Sequence, residues 1–167
     1  MLISFSKRLR WLGWVPAVCA GIALPLLVWM SGCATNSIRP PAGRQPVTLI
    51  MEITGYCNCG TCCSWERPWW GFGIFGSPVI SEGPNKGKPK IVGQTASGVQ
   101  ARRGTVAADT SVLPFGTIVY VEGYGYGRVE DRGGAIKGNK LDLWFSSHDE
   151  ALKWGRKKNQ QVKVWKP

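Results

Sequence analysis

Ten carboxylates and one histidine are the whole stock of ordinary acid–base side chains in these 167 residues, so each can be weighed alone. Three aspartates stand beside glycine-rich turns or inside strand-like text: Asp109, Asp131 and Asp142. In Leu141-Asp142-Leu143-Trp144-Phe145 the two-residue period of a strand puts Leu141, Leu143 and Phe145 on one face. Asp142 and Trp144 then share the other face, an acid beside an indole, an arrangement suited to gripping a sugar and protonating it. Asp131 opens a run through Gly133, Gly134, Lys137 and Gly138, whose glycines let a ligand or another chain come close to the backbone. The lone histidine, His148, excludes any metal site built from several histidines.

A second reactive cluster is Cys57-Asn-Cys59-Gly-Thr-Cys62-Cys63. An even number of cysteines in an exported chain points to disulfides. A vicinal Cys62–Cys63 bond is strained, so Cys57 and Cys59 are each expected to pair with one of the other two. Two other readings stand beside this one. A four-cysteine zinc knuckle is disfavoured by the Cys-x-Cys spacing, and a cysteine nucleophile with His148 as its base is disfavoured by three neighbouring thiols. The expectation is two disulfides, no metal and no cofactor. Trp65, Trp69, Trp70, Phe72 and Phe75 follow within eleven residues, interleaved with glycine. They are either a stacking surface for sugar rings or a small core laid over the domain, since an uncovered aromatic cluster is adhesive.

The elements that must hold these groups are legible in the flanking residues. Lys7, Arg8 and Arg10 precede an uncharged apolar run from Trp11 to Met30, which ends in Ser31-Gly32-Cys33. That is the layout of an export signal, and small residues directly before a cysteine are what lipoprotein processing requires. Residues 1–32 are expected to be a signal peptide, with Cys33 carrying the lipid; an uncleaved anchor is the alternative, since some 20 apolar residues can span a bilayer. The proline-rich stretch 33–46 reads as a lipid-attached linker, and residues 47–167 as one domain with a Cys/Trp-rich insert at 55–90. Strand candidates are Val47–Thr54, Thr105–Ala108, Thr117–Glu122, Gly127–Glu130, Leu141–Phe145 and Gln161–Trp165. One short helix begins at Ser147, which caps it with Glu150 three residues on, and Gly155 stops it. Six strands and one helix make an all-β domain, a small closed barrel.

The chain carries +11, and removing the three bases of residues 1–32 leaves +8 on the remainder. Such a balance favours anionic partners. For an exported chain those are wall polymers bearing carboxylates or a membrane surface, not nucleic acid.

Four stretches carry a resemblance. Thr95-Ala-Ser-Gly98, Gly104-Thr-Val-Ala-Ala-Asp109, Leu113-Pro-Phe-Gly-Thr117, and Asp131-x-Gly-Gly-Ala-Ile-Lys137-Gly138 followed by Asp142 are similar to the 3D (three-aspartate) domain family. That family includes the catalytic domain of membrane-bound lytic transglycosylase A. The resemblance implies a six-stranded double-psi β-barrel that acts on peptidoglycan glycan strands as a monomer. It implies cleavage of the β-1,4 bond between N-acetylmuramic acid and N-acetylglucosamine, leaving a 1,6-anhydro end. By motif Asp142 takes the place of the acid/base, Asp131 that of a supporting carboxylate, and Asp109 completes the trio. Thr95, Lys137 and Trp144 are the expected substrate contacts, with Lys137 serving Asp131 or the sugar.

Overall fold

The computed structural model describes residues 37–69 and 76–167. The signal-like segment, Cys33, Trp70, Phe72 and Phe75 lie outside the described residues.

Strand β1 spans Val47–Tyr56 and is followed by a single helical turn, α1, at Gly60–Cys63. Short strands β2 (Trp65–Glu66) and β3 (Val79–Ile80) pair with each other within the insert. Then come β4 (Thr105–Ala108), β5 (Ile118–Val121), β6 (Gly125–Asp131), β7 (Lys140–Trp144), α2 (His148–Trp154) and β8 (Lys157–Trp165). Six strands close into a barrel in the order β1-β7-β4-β6-β5-β8. β1 and β7 run parallel, as do β4 and β6, and the other neighbours are antiparallel.

The barrel closes because alternate residues of every strand are apolar. Met51 and Ile53 of β1, Val106 and Ala108 of β4, Val119 and Val121 of β5, Val129 of β6, Leu141 and Leu143 of β7, and Val162 and Val164 of β8 fill its interior. At one end Phe145, Tyr124 and Trp154 pack edge to face or tilted, with centroids 5.4 to 6.1 Å apart. The Arg103 guanidinium lies 4.2 Å from the Tyr124 centroid, a cation–π contact that covers the cluster.

The expected all-β barrel is present, with some differences from the sequence reading, among them the β2–β3 pair within the insert. α1 is a second helix; one turn is too short to show a helical period, and it forms because Cys59 Sγ accepts the Cys62 N–H at its start. β8 begins four residues earlier than expected, since polar Lys157 and Gln160 pair with Ile53 and Met51 of β1. Pairing with a neighbour, not apolar content, decides where that strand starts. α2 starts as expected, with Ser147 Oγ accepting the Glu150 N–H at 3.2 Å. Glu150 reaches back one residue further than a capping box does, to the Ser146 N–H and hydroxyl. Residues 37–46, expected as a spacer, lie partly against the barrel: Trp165 Nε1 donates to Arg44 O and the Arg44 guanidinium donates to Lys166 O.

Strand register brings two of the three aspartates into line. Ala107 of β4 pairs with Asp142 on one side and, across a bulge, with Asp131 on the other. On the far side of β7, Thr54 pairs with Asp142. Thr54, Asp142, Ala107 and Asp131 therefore form one row across four adjacent strands.

Candidate functional site

That row meets the floor of the largest described cavity, about 500 Å³, lined by Tyr56, Thr95, Asp131, Asp142 and the Arg132–Gly134 turn among others. Residues of the insert supply another wall, including Cys62, Cys63, Ser64 and Lys90. Of the expected site residues, the structure brings Asp142, Asp131 and Thr95 together here.

Asp142 sits on the outer face of β7, as the alternation predicts, while Leu141 and Leu143 are buried on the inner one. Its Oδ1 accepts the Thr54 hydroxyl at 2.8 Å. Burial pushes its acid range up from 3.8 to about 6, the Thr54 hydrogen bond opposes the rise, and the nearby Asp131 charge adds to it. Arg156, held by Glu52 at 2.6 Å, pulls weakly the other way. An acid at about 6 is protonated in about a tenth of molecules at pH 7, against under about a thousandth for an unperturbed aspartate.

Asp131 ends β6 and is pinned from three sides. Its Oδ1 accepts the N–H groups of Ala96 and Arg132 at 2.9 and 2.8 Å, and Oδ2 accepts the Tyr56 hydroxyl at 3.1 Å. Burial, then the Asp131 charge, drive the Tyr56 hydroxyl far above its usual range, so it stays a donor. The Ala96 N–H belongs to a turn that Thr95 builds: Thr95 Oγ1 donates to Val99 O and Gly98 N–H donates to Thr95 O. The buried Thr95 thus positions a backbone donor.

Asp109 and Lys137 lie elsewhere. They line a neighbouring cavity of about 300 Å³, which shares Arg132, Gly133 and Gly134 with the first. Lys137 is thereby a neighbour of Asp109, whose carboxylate its charge also helps to hold down. The Asp109 carboxylate accepts the Ser111 hydroxyl and N–H at 2.6 and 3.0 Å and the Gly138 N–H at 2.9 Å. Those bonds hold it at about 2, the Ser111 hydroxyl contributing most. Trp144 is not among the residues that line the main cavity; its indole N–H is donated at 2.8 Å to Oδ1 of Asn58, which is.

Thr54, Tyr56 and Asn58 were missed by sequence reasoning. They are spaced by two along β1 and its exit, and only the parallel pairing of β1 with β7 makes that spacing face Asp142 and Trp144. In the insert, Trp65 is anchored by its N–H to Asn58 O at 2.8 Å, whereas Trp69 is 82% exposed.

The cysteines do not form the two expected disulfides. Cys57, Cys59, Cys62 and Cys63 are all free thiols, and Cys57 and Cys62 stand 3.8 Å apart at sulfur. Backbone geometry keeps them together without a bond between sulfurs, because the α1 turn folds Cys62 back over Cys59. His148 Nδ1 lies 3.5 Å from Cys59 Sγ and 3.4 Å from Cys62 Sγ. Cys63 points away, donating to Cys57 O at 3.1 Å, and burial pushes its thiol up to about 11.

Residues 104–166 match the 3D domain family, a stretch that contains all three aspartates. Over 76 residues the chain is 45% identical to YabE of Bacillus subtilis (strain 168), a protein named for cell wall shaping; the match covers 43% of this chain and 18% of that one. It is also 45% identical over 71 residues to the cell wall-binding protein YocH of the same organism, covering 40% of this chain and 25% of YocH. The chain thus spans a quarter or less of the curated relatives it matches. Among solved structures it is similar to MltA from E. coli, at 25% identity and a TM-score of 0.36, over 48% of this chain and 30% of that one. MltA with bound chitohexaose gives the same identity and TM-score, over 53% and 30%.

Proposed function

We propose that this chain, whose residues 104–166 match the 3D domain, is a peptidoglycan lytic transglycosylase that uses Asp142 as its single acid and base. The observation that carries the reading is Asp142 itself: a largely buried carboxyl on a cavity floor, with one hydroxyl donor and a proton affinity raised to about 6. Glycosidases ordinarily divide the work between two carboxylates. One suffices when the sugar's own C6 hydroxyl is the nucleophile. Asp142 gives its proton to the bridging oxygen as the C1–O bond breaks. The resulting carboxylate then takes the proton of the C6 hydroxyl as that oxygen closes on C1. The acid is regenerated, no water is consumed, and the product carries a 1,6-anhydro ring.

Asp131, fixed by Ala96, Arg132 and Tyr56, is a positioning and tuning residue whose charge adds to the effect of burial in keeping Asp142 protonatable. Asp109 holds the Gly138 turn that borders the adjoining cavity. Trp144, Thr95 and Lys137 remain the proposed sugar contacts, the first by stacking, the others through the turns they belong to. The protein acts in the cell envelope, tethered through a lipid on Cys33. A Cys33→Ser chain that is still processed and membrane-bound as before removes the tether from this reading.

A second reading, a non-catalytic wall-binding protein on the same barrel, is favoured by the name of the cell wall-binding relative YocH. Mass spectrometry of peptidoglycan after incubation with the protein decides between them. Anhydro ends that appear with the intact chain support the transglycosylase. Binding to peptidoglycan without anhydro ends in any substrate overturns it in favour of the binder.

A further inference from the structure

Behind the wall of the main cavity, three thiols and an imidazole converge. Cys57 comes from the exit of β1, Cys59 and Cys62 from the start and turn of α1, and His148 from the first position of α2. Their ligand atoms all lie within 4.8 Å of one another; Cys57 is buried and the other three are half-buried. We propose that Cys57, Cys59, Cys62 and His148 bind one zinc ion.

Three of the six edges of the cluster have the lengths of a tetrahedron around such an ion. Zinc–sulfur bonds of about 2.3 Å and zinc–nitrogen bonds of about 2.0–2.1 Å require edges of about 3.8 Å between sulfurs and about 3.5 Å between sulfur and nitrogen. The Cys57–Cys62 edge is 3.8 Å, and the two sulfur–Nδ1 edges are 3.5 and 3.4 Å. A disulfide would need sulfurs at about 2.05 Å.

Backbone donors supply an independent observation. The Cys59 N–H points at Cys57 Sγ at 3.5 Å and the Cys62 N–H at Cys59 Sγ at 3.4 Å. Such bonds favour thiolates, the form a metal requires, and binding releases the thiol protons to solvent. They also explain how a Cys-x-Cys spacing serves here: the first bond folds the chain so that both sulfurs face one point. Three soft thiolates and one imidazole in a tetrahedral set suit zinc, and carboxylate-preferring cations are excluded. Four ligands close the coordination shell, so the ion is structural.

The site would tie α1, and the insert that follows it, to both β1 and α2. Cys62 and Cys63 reach the cavity from that same turn, so the ion would hold one wall of the cavity in place. The proposal stands whether or not the cavity proves catalytic.

The full-length chain, produced with zinc in the medium and extracted in detergent, should contain one zinc per chain by elemental mass spectrometry. Its thiols should resist alkylation until it is denatured with a chelator. Cys59→Ser and His148→Ala should bring zinc to background, while Cys63→Ser should retain it. Cobalt in place of zinc should give the visible absorption of a tetrahedral thiolate complex. Two disulfides in the intact mass, zinc at background in the wild-type chain, or equal loss of zinc in Cys63→Ser and Cys59→Ser would each overturn the assignment. Because every one of these readouts is independent of anhydro-end formation, failure of the metal site and failure of the proposed activity are distinguishable.

Discussion

Asp142 and Asp109 flank the same barrel strand, yet their surroundings drive them apart. Asp142 pairs with Ala107 across β4, is largely buried, accepts one hydroxyl and is held up at about 6. Asp109 follows the end of β4, is only partly exposed, accepts three donors and is held down at about 2. Water and hydrogen-bond donors are the two levers on a carboxylate, and here each aspartate is governed mainly by one of them. Burial with few donors makes an acid that can carry a proton near neutral pH. Several donors with little desolvation make a permanent anion, useful for pinning a turn and useless for giving a proton away. Three aspartates shared by one family motif therefore need not share a task.

The largest expected break in that comparison is Asp142→Asn. Asparagine can still accept the Thr54 hydroxyl, so the fold survives, but it cannot donate to the leaving oxygen. Loss of a general acid costs on the order of a hundredfold or more, and with acid and base lost together anhydro ends should fall to background. Release near the wild-type rate would take Asp142 out of the chemistry. The same variant has a stability signature. Because the folded chain raises Asp142 from 3.8 to about 6, the stability linked to its proton is complete below about pH 4 and lost as pH rises through 6. The ionised carboxylate then costs the native state on the order of 3 kcal/mol. Asp142→Asn should therefore melt higher than wild type above pH 6 and equally below pH 4. Parallel melting profiles across that range would refute the burial account.

How much of the site is legible in the sequence depends on range. The outward face of Asp142 and Trp144 is written in five consecutive residues, because strand alternation is local. So is the Ser147 cap of α2. The partners of Asp142 are not local. Thr54 lies 88 residues away, and nothing in Val47–Tyr56 announces a parallel neighbour. The cysteine cluster is hard to read for the same reason: four clustered thiols suggest pairing with one another, whereas the group found against two of them is an imidazole 89 residues from Cys59. That Lys137 stands beside Asp109 is equally hard to read, because glycine-rich turns conceal which side a following lysine faces.

A smaller effect should come from Asp131→Asn. The amide oxygen can keep the Ala96 and Arg132 N–H groups, and its NH2 can donate to Tyr56, so the turn stays in place. What disappears is a like charge beside Asp142. Desolvation is the larger cause of the raised acid range and the Asp131 charge a lesser one, so the range should drop only in part. The rate of anhydro-end release should lose its alkaline limb at lower pH than wild type, with a several-fold loss at pH 7. An unchanged pH profile with lowered rate throughout would mean that Asp131 acts on the substrate and not through Asp142.

The smallest expected effect belongs to Asp109→Asn, and it runs in the opposite pH direction from Asp142. Asparagine can present its oxygen to Ser111 N–H and hydroxyl, but its NH2 then faces the Gly138 N–H, donor against donor. The Gly138 turn should loosen while the barrel, whose core lies on the other side of β4, keeps its melting behaviour. In the wild-type chain Asp109 is depressed from 3.8 to about 2, so its contribution is complete above about pH 4 and lost as pH falls through 2. Amide exchange at Gly138 should therefore be protected in wild type at pH 5 and 7 and faster in Asp109→Asn at both values. Acidifying from pH 4 through 2 should bring the two together, whereas the contribution of Asp142 changes only between pH 4 and 6. If the variant instead destroyed anhydro-end formation as completely as Asp142→Asn, with exchange at Gly138 unaltered, Asp109 would have to act on the reacting sugar, and the balance of donors against desolvation would no longer separate the anion that pins a turn from the acid that works in the cavity.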